Sequence, residues 1–105
     1  MAIKELLREE LGNSRRMERD YQRELAKLPR GCIVKKMIGG RVYFYVAFRD
    51  KDRVRFQYRG RKMEDREVAK YRDAKLSRVQ YRKLLSDVRQ QIKFLRKALR
   101  AKQAV

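Results

Sequence analysis

The stretch GGRVYFYVAFRDKDRVRFQYRGR, Gly39 to Arg61, decides the fold. Its polar and apolar residues alternate with a period of two, the repeat of a strand with one buried face. Gly39-Gly40 supplies two residues free to take positive φ, as a two-residue type I′ hairpin requires. Asp50-Lys51-Asp52 reads as a three-residue polar turn. Upstream, CIVKKMI from Cys32 to Ile38 extends the same alternation. Residues 32–59 are therefore expected to form a three-stranded antiparallel meander.

The turns imply a register. Closure at Gly39-Gly40 sets Met37 opposite Val42, Lys35 opposite Phe44 and Ile33 opposite Val46. Three-residue closure at the second turn sets Phe48 opposite Val54, Val46 opposite Phe56 and Phe44 opposite Tyr58. One face then holds Ile33, Met37, Val42, Phe44, Val46, Phe48, Val54 and Phe56, with Lys35 discordant. The other holds Lys36, Arg41, Tyr43, Tyr45, Arg49, Arg53, Arg55, Gln57 and Arg59, with Val34, Ile38 and Ala47 among them. A slip of one residue at either turn mixes the two sets, so their separation is the argument for this register.

Outward from the ribbon the period becomes helical. Ile3, Leu7, Leu11, Met17, Tyr21, Leu25 and Leu28 recur at three- and four-residue steps, predicting a helix over 2–28. Gly12-Asn13-Ser14 is a candidate kink, and Pro29 ends the helix by disfavouring the α conformation at Leu28. Val68, Tyr71, Ala74, Tyr81, Leu85, Val88, Ile92, Leu95 and Leu99 form a seam over 64–102, with Glu64, Asp65 and Glu67 at its dipole-favoured start. Ser77-Arg78-Val79-Gln80 resembles a capping box, so a break at 75–77 competes with one long helix; the absence of Gly and Pro favours one helix. The expected fold class is α+β in a single domain, 1–105: a long N-terminal helix, the meander, and a long C-terminal helix pairing antiparallel with the first.

Charge narrows the function. The 105 residues carry 31 Lys and Arg against 13 Asp and Glu, a net of +18. Residues 1–30 are nearly balanced, with 8 basic and 6 acidic side chains, whereas 31–62 carry 10 and 2 and 63–105 carry 13 and 5. Such a chain repels itself and gains from an acidic partner. Nucleic acid, an anionic membrane and an acidic protein face all qualify by charge; no apolar run is long enough to span a bilayer, and no membrane partner is expected. MAIKELLREELGNSRR, which opens the chain, does not read as a secretory signal. Cys32 is alone, as suits a reducing compartment, and a cytoplasmic location is expected. With no histidine and one cysteine, the usual metal-site patterns are missing, and neither metal nor cofactor is expected. No general base, paired carboxylates or phosphate-cradling glycine loop stands out, so no enzymatic activity is expected.

The candidate binding residues fall into two groups. On the sheet, Lys36, Arg41, Tyr43, Tyr45, Arg49, Arg53, Arg55 and Arg59 combine rings that can stack on bases with cations that can hold phosphates. On the last helix, Lys75, Arg82, Arg89 and Arg96 recur every seven residues, and Lys93 and Arg100 join their stripe, about 100° around from the seam. Both patterns point to nucleic acid, with RNA or single strands ahead of duplex DNA. The opposing view is a half-exposed sheet and a solvated helix face that do nothing more.

LPRG at Leu28 to Gly31, IVKK at Ile33 to Lys36, GGRVYFY at Gly39 to Tyr45 and DRVRFQY at Asp52 to Tyr58 carry a resemblance. The chain is similar to a group of short bacterial and phage proteins in which a helix ends in a Leu-Pro-Lys-Gly-type turn and is followed by an aromatic ribbon and a charged helix. That resemblance implies the fold. The ribbon also resembles, more weakly, the arm-type DNA-binding domain of tyrosine recombinases, although the long helices depart from it. Small basic proteins of phages and mobile elements also include inhibitors of RNA-guided nucleases (anti-CRISPR proteins). The alternatives to direct nucleic-acid binding are therefore an inhibitor of such a nuclease or its guide RNA, within a nucleic-acid-processing complex, and a structural coiled-coil element, a homodimer through the long helices.

Overall fold

The computed structural model describes residues 2–103. The chain is α+β, in the order α1 (Ile3–Lys27), β1 (Cys32–Ile38), β2 (Arg41–Asp50), β3 (Arg53–Gly60) and α2 (Asp65–Gln103). The strands form one antiparallel sheet in the order β1-β2-β3. Two compact units are present: residues 2–27 with 78–103, and Leu28–Ser77. Helix α2 is continuous through 75–77 and contributes to both.

In the helical unit α1 runs antiparallel to α2. Glu18 pairs with Arg89 at 3.0 Å, and three residues further along α1 the Tyr21 ring lies 6.1 Å from that of Tyr81, earlier in α2. Leu11, Ser14, Leu85, Val88 and Leu95 are buried. Each aliphatic side chain in that set contributes about 1.5–3 kcal/mol relative to exposure. Gly12-Asn13-Ser14 does not break α1; Ser14 instead occupies a buried position, 2% exposed. Met17, expected in the seam, is 42% exposed. It lies two-thirds of a turn from Leu11, and the half-buried Glu18 takes the seam position.

In the ribbon unit the first hairpin has the expected register, with Met37 opposite Val42 and Ile33 opposite Val46. Gly39 and Gly40 adopt φ of 59° and 78°, as a type I′ turn demands. Val46, 2% exposed, and Ala74 are the buried apolar residues of this unit. Gly31 lies against β2: a Cβ there would sit 2.4 Å from the Ala47 carbonyl oxygen and 3.0 Å from a Val46 methyl. The Arg30 guanidinium donates to the Arg49 carbonyl at 2.6 Å, tying the same loop to β2.

The second hairpin differs from expectation. Its turn is two residues, Lys51-Asp52, with Lys51 at φ 58°. Asp50 therefore pairs with Arg53, Arg49 with Val54, Ala47 with Phe56 and Tyr45 with Tyr58. Strand β3 is rotated by one residue, so Val54, Phe56 and Tyr58 fall on the face opposite Val46, and Arg53, Arg55 and Gln57 fall on the Val46 face. A bulge at Arg59 then brings Gly60 opposite Phe44. The separation of polarity misleads because β3 is an edge strand whose residues 53–59 are all exposed. No core face is imposed on it, so its alternation does not report which side is buried.

Candidate nucleic-acid interface

The corrected register assembles an aromatic surface on the sheet face away from Val46. Side chains two apart on a strand sit about 6.6 Å apart on one side, so β2 contributes Arg41, Tyr43, Tyr45, Ala47 and Arg49 in a row. Val54, Phe56 and Tyr58 stand beside them, between 50% and 54% exposed. Tyr58 is the hub: its ring centre lies 5.4 Å from Tyr45 and 6.2 Å from Tyr43, both tilted near 50°. Rings in this arrangement attract one another beyond their buried area.

Lys36 enters the cluster from β1. Its ammonium lies 4.3 Å from the Phe56 ring centre and 4.9 Å from that of Tyr45. A cation between two ring faces is held in place while its remaining donors stay open to an anion. Arg41 and Arg49 stand at the two ends of the β2 row, and both are exposed. The face carries no acidic side chain: in residues 31–62 the acids are Asp50, on the other face, and Asp52, in the turn.

Several expected site residues lie elsewhere. Arg53 and Arg55 project from the opposite face, away from Tyr43 and Tyr45, and Arg55 is held by Asp50 at 2.8 Å. Arg59 occupies the bulge and donates to the Tyr71 hydroxyl at 3.3 Å. Lys36, Arg41, Tyr43, Tyr45 and Arg49 do share one face. Phe56 and Tyr58 are the members that sequence reasoning assigned to the wrong side or left out. The discordant Lys35 is accommodated on the Val46 face, where its ammonium reaches out 5.7 Å from the Phe44 ring centre.

On α2, Lys75, Arg82, Lys93, Arg96 and Arg100 are exposed, and Arg89 is engaged by Glu18. Lys75 belongs to the ribbon unit and the others to the helical unit. Lys97, absent from the expected stripe, lines a shallow groove with Arg89, Ile92, Lys93, Arg96 and Arg100. Among the described residues, no helix is long and apolar enough to cross a membrane.

No protein-family model, curated protein or solved structure matches the chain.

Proposed function

We propose that this protein is a non-enzymatic binder of unpaired nucleic acid, and that the ligand lies on the sheet face of Tyr43, Tyr45, Phe56 and Tyr58. The observation that carries this reading is the company the rings keep: four partly exposed aromatics, a lysine fixed between two of them, an arginine at either end and no acid. An unpaired base offers a π-face to any such ring, and stacking is worth about 1–3 kcal/mol per base. A duplex hides those faces within its own stack, so the rings favour single strands, loops and ends.

Lys36, Arg41 and Arg49 supply the phosphate contacts. Three contacts imply a slope of log affinity against log salt of about −2 for a single strand. The test is fluorescence anisotropy with a labelled single-stranded 12-mer of RNA or DNA across a salt series. Tyr45→Ala, Phe56→Ala and Tyr58→Ala should each weaken binding with little change in slope. Arg41→Gln with Arg49→Gln should flatten the slope by about 1.4. Affinity insensitive to all three ring substitutions removes the reading. Capture of an RNA-guided nuclease that survives removal of all nucleic acid would make the same face a protein-docking surface instead.

A further inference from the structure

We infer that the C-terminal half of α2 is a second binding site, a track for the phosphodiester backbone of double-stranded nucleic acid. The inference stands apart from the sheet reading and uses none of its residues. The groove lined by Arg89, Ile92, Lys93, Arg96, Lys97 and Arg100 has a volume of about 370 Å³. Arg89 is anchored by Glu18 at 3.0 Å. Lys93, Arg96, Lys97 and Arg100 have no acidic partner among the described residues. After Asp87 the sequence contains no acid at all.

Unpaired cations at this density on one helix flank repel each other, because the i±4 acids that ordinarily neutralise them are missing. An external polyanion relieves that repulsion. From Lys93 to Arg100 the helix rises about 10.5 Å. A duplex lays about six phosphates along that length, and about half of them face the protein. The four cations therefore meet about three phosphates, a match that a single strand offers at half the charge density. No aromatic ring lines the groove, so unpaired bases find no stacking partner within it. Ile92 and the basic side chains line it, and long basic side chains keep their aliphatic stems on apolar surface and their charged heads in water. An anionic bilayer fits less well, because Leu85, Val88 and Leu95 are buried and Phe94 is the single exposed large apolar side chain among the described residues of this half of α2, too little to form a wide inserting face.

The test is salt-dependent anisotropy with a blunt 20-base-pair duplex, in one defined and one scrambled sequence. The wild-type protein should bind both alike, with a slope near −3. The variant K93Q/R96Q/K97Q/R100Q should weaken binding at 0.1 M salt by at least about 100-fold and flatten the slope by about 3. R96K/R100K keeps the charges and should stay within about threefold of wild type, since point charges suffice for phosphate contacts. Duplex should also slow acylation of Lys93 and Lys97 in the wild-type protein relative to Lys51, a readout that needs no substitution. The inference is overturned if the quadruple variant binds duplex as wild type does, or if duplex leaves Lys93 and Lys97 fully reactive. It is equally overturned if Phe56→Ala/Tyr58→Ala, and not the helix variant, abolishes duplex binding. Preferential binding to phosphatidylserine vesicles over duplex would reassign the track to a membrane surface.

Discussion

The contact between Lys36 and Phe56 exists only in the observed register, so its energy can be used to test the sheet. With a three-residue second turn, Phe56 would lie across the sheet from Lys36. With the two-residue turn, the ammonium is 4.3 Å from the Phe56 ring centre and 4.9 Å from that of Tyr45. At a partly exposed site each such contact is worth about 0.5–1 kcal/mol. Lys36→Met keeps the stem and removes the charge, so it should cost about 1–2 kcal/mol through the two rings. Phe56→Leu keeps apolar bulk and removes one ring. In that background Lys36→Met should cost only the Tyr45 contact, leaving a coupling energy of about 0.5–1 kcal/mol. Removing one positive charge from a chain of net +18 also relieves general repulsion, but it does so equally in both backgrounds and cancels in the cycle. Urea denaturation of the four proteins measures the coupling, and thermal melts should show it as a difference of a few degrees, on the scale of about 4–8 °C per kcal/mol. Strict additivity of the two substitutions would refute the register and the aromatic face built on it.

Other outcomes follow from particular residues. Gly31→Ala should destabilise the ribbon by more than about 2 kcal/mol in urea denaturation, because φ is 93° and the new methyl would meet the Ala47 carbonyl at 2.4 Å. Lys51→Gly should raise the melting temperature, since Lys51 holds φ 58°; the gain is up to about 1 kcal/mol. Arg53→Gln with Arg55→Gln should leave the single-strand salt slope within about 0.5 of wild type, because both project from the other face. A drop as large as that of the Arg41 and Arg49 pair would return them to the interface.

Much of the fold was legible because its signals are local. Pro29 and Gly31 punctuate the end of α1, Gly39-Gly40 dictates the first turn, and two apolar seams at helical spacing announce the helices. The first hairpin followed from its turn chemistry alone. The second had no glycine to declare its turn type, and Lys51 carries the positive φ that sequence reasoning would reserve for Gly or Asn. Polarity is the remaining signal there, and an exposed edge strand does not obey it. The cost fell on the candidate site. The alternation of β3 puts Arg53 and Arg55 beside Tyr43 and Tyr45 and keeps Phe56 and Tyr58, which complete the ring cluster, away from them. Only side-chain geometry reveals Lys36 lying over two rings from different strands, because sequence spacing holds no trace of a contact spanning 20 residues.

The central claim, that unpaired bases stack on the β2–β3 face, is tested most directly by photo-crosslinking. A single strand carrying 4-thiouridine is irradiated with the protein, and the adducts are mapped by mass spectrometry. The account predicts adducts on Tyr43, Tyr45, Phe56 or Tyr58, competed away by unlabelled single strand and not by an equal amount of blunt duplex. Adducts confined to α2, or on the Val46 face of the sheet, would contradict it.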